Sequence, residues 1–338
     1  MAETLRLAFV GCGAIARRHL DGIHAFGDRV HVTAAIDPDL AKAQRIAGET
    51  GAAVFGSLTE ALAAGGFEAV DIMVPHDLHE ALAIEALRAG QHVLLEKPMA
   101  PTLEACQRIL AAARAAGTVF MVAENAQYWP EIVKAADLIA AGAIGNIITA
   151  RAAFTHRLDE TFFGDARPWR FERARTGGGI TIDGGSHWIR PLRMWLGEID
   201  AVVAVTGHPL RQMEGESLVR SVLRFASGQI ATFDALMHDG PMAPEPWWRV
   251  TGTRGELLIE GGHTGGLQLY DTASPAGRRV AEPQGYAKSF GPEIDDFASA
   301  VLHGTPLRAA PEQSLGELRT AFAIYRSAAS GRWEKVWA

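Results

Sequence analysis

Gly11-Cys12-Gly13-Ala14-Ile15-Ala16 follows the apolar run Leu5–Val10 and opens an alanine-rich stretch. A strand that ends in a Gly-x-Gly turn and continues as a helix is the pattern of a dinucleotide-binding βαβ unit. Gly11 permits the tight turn, and Gly13 lets the backbone amides, with those of Ala14 and Ile15, approach a pyrophosphate at the helix N-terminus. Ala16 takes the third position, where a small side chain allows the helix to pack closely on the strand. Asp37 lies 26 residues after Gly11, at the end of the next β-branched run, Val30–Ile36. That is the place for a carboxylate that accepts hydrogen bonds from the adenosine ribose hydroxyls. With Asp39 close by and no arginine directly after it, Asp37 should repel a 2′-phosphate. NAD is therefore the expected cofactor, with NADP the lesser alternative.

Outward from this turn, short β-branched runs alternate with helical stretches, which implies a doubly wound parallel sheet wrapped by helices. Strands are expected at Leu5–Val10, Val30–Ile36, Val54-Phe55, Ala69–Val74, His92–Leu95 and Val119–Val122. Helices are expected at Ala14–Ala25, Pro38–Thr50, Thr59–Ala64, His79–Ala89 and Leu103–Ala116, the last ended by Gly117. Around Glu124-Asn125 the character changes. A connecting helix, Tyr128–Ala141, leads into strands at Ile147–Phe154, Ala201–Val205, Ser217–Phe225, Ile230–Met237, Trp247–Thr251 and Glu256–Ile259, which read as an antiparallel sheet. One helix, Gly184–Trp195, interrupts them, and Pro292–His303 and Pro311–Ala329 close the chain. The expected domains are 1–124, binding the dinucleotide, and 125–338, for substrate and oligomerisation, with the closing helices able to pack back on the first.

Bulk properties narrow the function classes. The 338 residues exceed one ordinary core, and 48% hydrophobic with 21% charged residues describes a globular enzyme. A net charge of −7 argues against a role on nucleic acid or an anionic membrane. The first residues do not resemble a signal peptide, and no apolar stretch approaches the roughly 18 residues that span a bilayer. Two cysteines, Cys12 and Cys106, are too few for a disulfide framework and fit a reducing compartment, so a cytoplasmic location is expected.

Two further segments carry chemistry. Glu96-Lys97-Pro98 stands just beyond the fifth strand, where ligands of doubly wound folds collect. Lysine is scarce: Lys42, Lys97, Lys134, Lys288 and Lys335 are the full set. A lysine kept among so many arginines suits an amine that exchanges a proton, although a plain surface lysine reads the same way. In Asp183-Gly184-Gly185-Ser186-His187, an aspartate capping the helix and a histidine one turn on would suit hydroxyl recognition and proton transfer. On spacing alone, an N-cap beside an unrelated surface histidine is the stronger reading. The preceding Gly177-Gly178-Gly179 permits close backbone approach or loop movement. His76 and His79 lack a third ligand nearby, so no metal site is expected. Cys12 reads as a small packing residue. Most of Trp129, Trp169, Trp188, Trp247 and Trp248 read as core or subunit contact, with room for one against a sugar ring.

Taken in order, these motifs resemble the Gfo/Idh/MocA oxidoreductases, the family of glucose–fructose oxidoreductase and inositol dehydrogenase. The resemblance runs through Gly11-x-Gly13-x-x-Ala16, Asp37-Pro38-Asp39, Pro75-His76-Asp77-Leu78-His79 and Glu96-Lys97-Pro98. It continues through Ala123-Glu124-Asn125 with Pro130, Trp169-Arg170, Asp183-x-x-x-His187 and Gly252-Thr253-Arg254-Gly255. It implies an N-terminal Rossmann domain and a C-terminal α/β domain whose open, mainly antiparallel sheet serves homo-oligomerisation. It also implies hydride transfer between nicotinamide C4 and a secondary hydroxyl or keto carbon of a sugar, sugar acid or inositol. By match of motif, Lys97, Asp183 and His187 are the catalytic residues. Pro75, His76, His79, Glu96 and Asn125 join Gly11, Gly13, Ala14, Ile15, Asp37 and Lys97 at the cofactor, and Trp169 and Arg170 are substrate candidates.

Two departures stand near the expected substrate side: Gln127 where members often have arginine, and Arg190 where they often have aspartate. The loop Arg167–Arg175 carries more arginine than the pattern requires, which suits either an acidic substrate or a solvated surface. A non-catalytic dinucleotide or sugar sensor, and an enzyme that recycles tightly held NAD within one cycle, are the alternative functions.

Overall fold

The computed structural model describes residues 4–158, 168–260, 266–284 and 286–337. They form two units, Met1–Glu124 with Ala287–Leu315, and Asn125–Tyr286 with Gly316–Ala338. Among the described residues no helix is long and apolar enough to cross a membrane.

The first unit is built on six strands, β1 (Leu5–Val10), β2 (Val30–Ile36), β3 (Ala53–Phe55), β4 (Ala69–Ile72), β5 (His92–Glu96) and β6 (Phe120–Ala123). All neighbours are parallel, in the order β3-β2-β1-β4-β5-β6. The order reverses between β1 and β4, so the carboxyl ends of these two strands bound the crevice where ligands of open α/β sheets bind. Leu7, Ala8 and Phe9 of β1 are completely buried, as a central strand covered on both faces requires.

Helices α1 (Ala14–Phe26), α2 (Leu40–Thr50), α3 (Leu58–Ala64), α4 (His79–Arg88) and α5 (Leu103–Ala116) connect the strands. Side-chain caps set several of their starts. Asp39 accepts from Ala41 N–H at 3.1 Å, so α2 begins at Leu40 and Pro38 stands outside it. Ser57 and Thr102 cap α3 and α5 in the same way.

In the second unit, α6 (Pro130–Ala140), α7 (Arg173–Thr176) and α8 (Ser186–Leu196) accompany a nine-stranded sheet. Its strands are β7 (Ile147–Arg157), β8 (Ile199–Gly207), β9 (Leu218–Phe225), β10 (Ile230–His238), β11 (Trp248–Gly252), β12 (Gly255–Ile259), β13 (Leu267–Asp271), β14 (Ser274–Ala281) and β15 (Glu334–Lys335). They run in the order β14-β13-β12-β11-β7-β10-β9-β8-β15. All pairings are antiparallel except that of β7 with β10. Along β10, Ala231, Phe233, Ala235 and Met237 are buried while their neighbours are not, the alternation of a sheet with one covered face. Strands β13, β14 and β15 were not expected from the sequence. Ser274–Ala281 contains Pro275, Gly277, Arg278 and Arg279, and no period-2 pattern survives that composition.

The helix Phe290–His303 belongs to the first unit and packs on α1. It carries Glu293 into the interior at 0% exposure, where neither carboxyl oxygen has a hydrogen-bond partner. Burial pushes the Glu293 carboxyl well above its ordinary range; the nearby His19 charge opposes this, while Glu96, Glu124 and Asp71 add to it. The folded protein thus keeps a proton that the unfolded chain releases above about pH 4.3. Stability attributable to this group therefore falls as pH rises from there towards the folded-state pKa. Thermal melts should show Glu293→Gln raising Tm at pH 8 and changing it little at pH 4; equal shifts at both would contradict the assignment.

Candidate functional site

The turn after β1 has the geometry of a dinucleotide cradle. Gly11 adopts a φ of +91°, and a Cβ there would lie 2.4 Å from the Met73 carbonyl at the end of β4, so only glycine fits. Gly13 is the N-cap of α1 and makes no side-chain capping bond, and a Cβ on it would meet nothing within 4 Å. Gly13 and Ala14 are exposed, and Ile15 half-buried, so the first N–H groups of α1 open onto accessible space. Asp37 closes the turn from β2. One carboxylate oxygen accepts from Cys12 N–H at 2.9 Å and the other from Asp39 N–H at 2.9 Å. Each oxygen has lone pairs to spare for a vicinal diol, so the residues present fit a dinucleotide. Cys12 is buried, and burial followed by the Asp37 charge pushes its thiol up to about 12, which suits packing and not nucleophilic attack.

Lys97 extends half-buried from the end of β5. Its N–H donates to the Glu96 carboxylate (Oε2) at 2.9 Å, and the other Glu96 oxygen lies 3.2 Å from His19 Nε2. Pro75 is half-buried and His76 buried, at the start of the segment that leads into α4. The His79 ring is fully buried, with its nitrogens 2.9 Å from the Pro98 and Val74 carbonyls; burial holds its pKa below the ordinary value. Both ring nitrogens of His79 thus face backbone, that of Val74 before it and that of the Lys97-Pro98 segment.

In the second unit Asp183 does not cap a helix. The N-cap of α8 is Gly185, without a side-chain bond, and the Asp183 carboxylate instead pairs with Arg170 Nε at 3.1 Å. The capping expectation fails because Gly177–Gly185 is a wound loop, not a straight approach to the helix. His187 lies in the first turn of α8, 7% exposed, with its ring edge-on to Tyr286. Arg170 also stacks over Trp169 at 4.4 Å, and Arg175 approaches the same ring. Part of the arginine-rich loop is thereby met by protein groups; Arg167 lies outside the described residues. Asn125 is buried at the start of this unit.

A buried carboxylate that the sequence reading missed holds the Asp183 loop. Glu216 accepts from Gly179 N–H and Thr181 N–H, each at 2.9 Å, and from the Tyr325 hydroxyl at 3.0 Å. A Cβ on Gly179 would lie 2.0 Å from the Glu216 carbonyl oxygen. The glycine run is thus required by the close approach of the protein's own chain.

A family model described as "Oxidoreductase family, NAD-binding Rossmann fold" matches residues 5–124, and a "GFO/IDH/MocA C-terminal domain" model matches residues 132–258. The 1,5-anhydro-D-fructose reductase of Ensifer adhaerens is 31% identical over 98% of both chains. The chain belongs to the Gfo/Idh/MocA oxidoreductases. A D-xylose 1-dehydrogenase (NADP(+)) of Haloferax volcanii is 30% identical over 89% of this chain and 91% of its own. The crystal structure of an oxidoreductase from Thermotoga maritima superposes with a TM-score of 0.88 at 28% identity, covering 99% of each chain.

In this Gfo/Idh/MocA oxidoreductase the departure at Arg190 proves to be a matter of the core. Arg190 is 3% exposed and pairs with Glu317 at 3.4 Å, and Arg193 joins the same carboxylate. Gln127 is likewise buried, at 8% exposure. Trp129, Trp188 and Trp248 are buried together, while Trp247 and Trp169 keep some exposure.

Tyr325→Phe removes one donor to Glu216 and one acceptor from Gly179. Denaturant unfolding should show a loss of about 1–3 kcal/mol, the scale of a buried polar group left without its partner. NADH affinity should be unchanged, because the clamp lies outside the dinucleotide-binding unit.

Proposed function

We propose that this oxidoreductase transfers hydride between nicotinamide C4 and a secondary hydroxyl or keto carbon of a sugar or cyclitol, and prefers NAD to NADP. The near full-length similarity to a sugar-derivative reductase is the observation that carries the substrate class. For the cofactor, Asp37 is held by two backbone N–H groups at the end of β2, so its charge cannot swing away from a 2′-phosphate. Fixed in that place, the carboxylate accepts from a ribose diol and repels NADP.

When bound, the nicotinamide supplies the hydride chemistry. The protein's part is to hold the alcohol carbon and to move one proton at its oxygen. His187 takes that proton during oxidation and returns it during reduction, the part of a general acid/base on the reacting oxygen. Lys97 donates a hydrogen bond to the same oxygen and stabilises the negative charge that develops there. Asp183, paired with Arg170, orients the substrate. A cytoplasmic location and homo-oligomer formation through the second unit's sheet belong to the same reading.

Lys97→Ala and His187→Ala should each lower turnover by about two to four powers of ten, the usual scale for lost acid–base help. NADH affinity, read by fluorescence, should change little. The substrate is found by an NAD-reduction screen over neutral sugars, sugar acids and inositols, repeated with NADP. NADH binding without turnover on any of them would favour a sensor. In the same assay Asp37→Ala should weaken NAD and erode its advantage over NADP; an unaltered preference would remove Asp37 from that role.

A further inference from the structure

His19 lies on the inner face of α1, two turns beyond the dinucleotide turn, and is completely buried. Its Nδ1 is 2.7 Å from Asp71 on β4, and its Nε2 is 3.2 Å from Glu96 at the end of β5. Phe290 covers the ring at a centroid distance of 5.2 Å. An ionised carboxylate only accepts, so an imidazole between two of them donates from both nitrogens and carries a positive charge. The second Asp71 oxygen is buried without a hydrogen-bond partner, which leaves His19 as the cation facing that carboxylate. Burial alone would strip the proton from His19, but Asp71 and then Glu96 outweigh it and hold His19 well above the ordinary histidine range.

Glu96 is the link outward. One of its oxygens faces His19 Nε2 and the other accepts from the Lys97 N–H. A turn of the Glu96 carboxylate would break its bond to the Lys97 N–H, at the backbone from which the Lys97 side chain departs.

We propose that His19 is a positioning residue for Lys97, acting through Glu96: its Nε2–H holds the Glu96 carboxylate in the orientation that fixes the Lys97 backbone. The proposal rests on the catalytic reading of Lys97 for its effect on turnover, but not for its effect on Lys97 itself. It also ties the helix that opens on the dinucleotide turn to the strand end that carries the lysine, inside one unit.

Two amide variants separate the two ends of the ring. The amide nitrogen of His19→Gln falls near Nε2 and can still donate to Glu96. That of His19→Asn falls near Nδ1 and keeps only the Asp71 bond. The lysines number five, so reductive ¹³C-methylation of the full chain gives a short spectrum in which Lys97→Arg identifies the Lys97 signal. In His19→Asn that signal should move and turnover on the best sugar of the screen should fall at least tenfold. In His19→Gln the signal should stay and turnover should remain within threefold, whatever the two variants lose in Tm. Equal effects in both, or an unmoved Lys97 signal in His19→Asn, would overturn the proposal. Asp71→Asn keeps the Nε2–H on Glu96 and serves if neither variant folds: a displaced Lys97 signal there would also overturn it. Should Lys97→Ala retain full turnover, the catalytic reading falls, and the methyl signal still judges the link to His19.

Discussion

A backbone N–H turned away from water must find an acceptor, and the tight glycine segments of this chain turn several of them inward at once. Asp37 supplies the acceptor in the first unit, for Cys12 and Asp39, and Glu216 supplies it in the second, for Gly179 and Thr181. Hydrogen bonds to an ionised carboxylate contribute about 1.5–3 kcal/mol each, more than neutral ones. Each carboxylate is thereby held in place by the loop that it holds. At Asp37 the result is a fixed charge at the mouth of the dinucleotide turn. At Glu216 it is a fixed course for the loop that carries Asp183.

Two buried acidic sites of the first unit, one at His19 and one at Glu293, behave differently because their partners differ. Asp71 and Glu96 face His19, whose pKa the two carboxylates together raise well above the ordinary histidine range. Glu293 has no hydrogen-bond partner on either carboxyl oxygen, and burial pushes it well above the ordinary carboxyl range. Buried ion pairs are weak contributors to stability, since desolvation offsets most of the attraction. Their retention between α1, β4 and β5 is better explained by orientation than by stability. The carboxylate that ends the array also holds the Lys97 backbone.

In the second unit a comparable array serves the core. Arg190 and Arg193 converge on Glu317 between α8 and the helix Ser314–Ser330, and the side chains at both ends are almost completely buried. An arginine that looked like a change on the substrate side is therefore an internal tie between helices. A charged residue in sequence carries no sign of which way it faces; burial and partner decide that.

Much of the first unit was legible because its signals are local. A central strand buried on both faces reads as a continuous apolar run, and a turn that admits only glycine shows as Gly11, whatever surrounds it. The position of Asp37 follows from strand length, and the parallel sheet from alternation of strands with helices. In the second unit the sheet was legible where one face is covered, as along β10, and not in β14, whose composition has no alternation. Asp183 was misread as a cap because its partner, Arg170, is distant in sequence and meets it only in the folded loop. The same holds for His19, Glu216 and Tyr325. Sequence alone determined the family and the dinucleotide turn, and it singled out Lys97, Asp183 and His187 as candidates, because each rests on residues within one turn or one strand end. Tertiary structure decided which carboxylates hold those residues in place, because hydrogen bonds between residues far apart in the chain leave no periodicity to read.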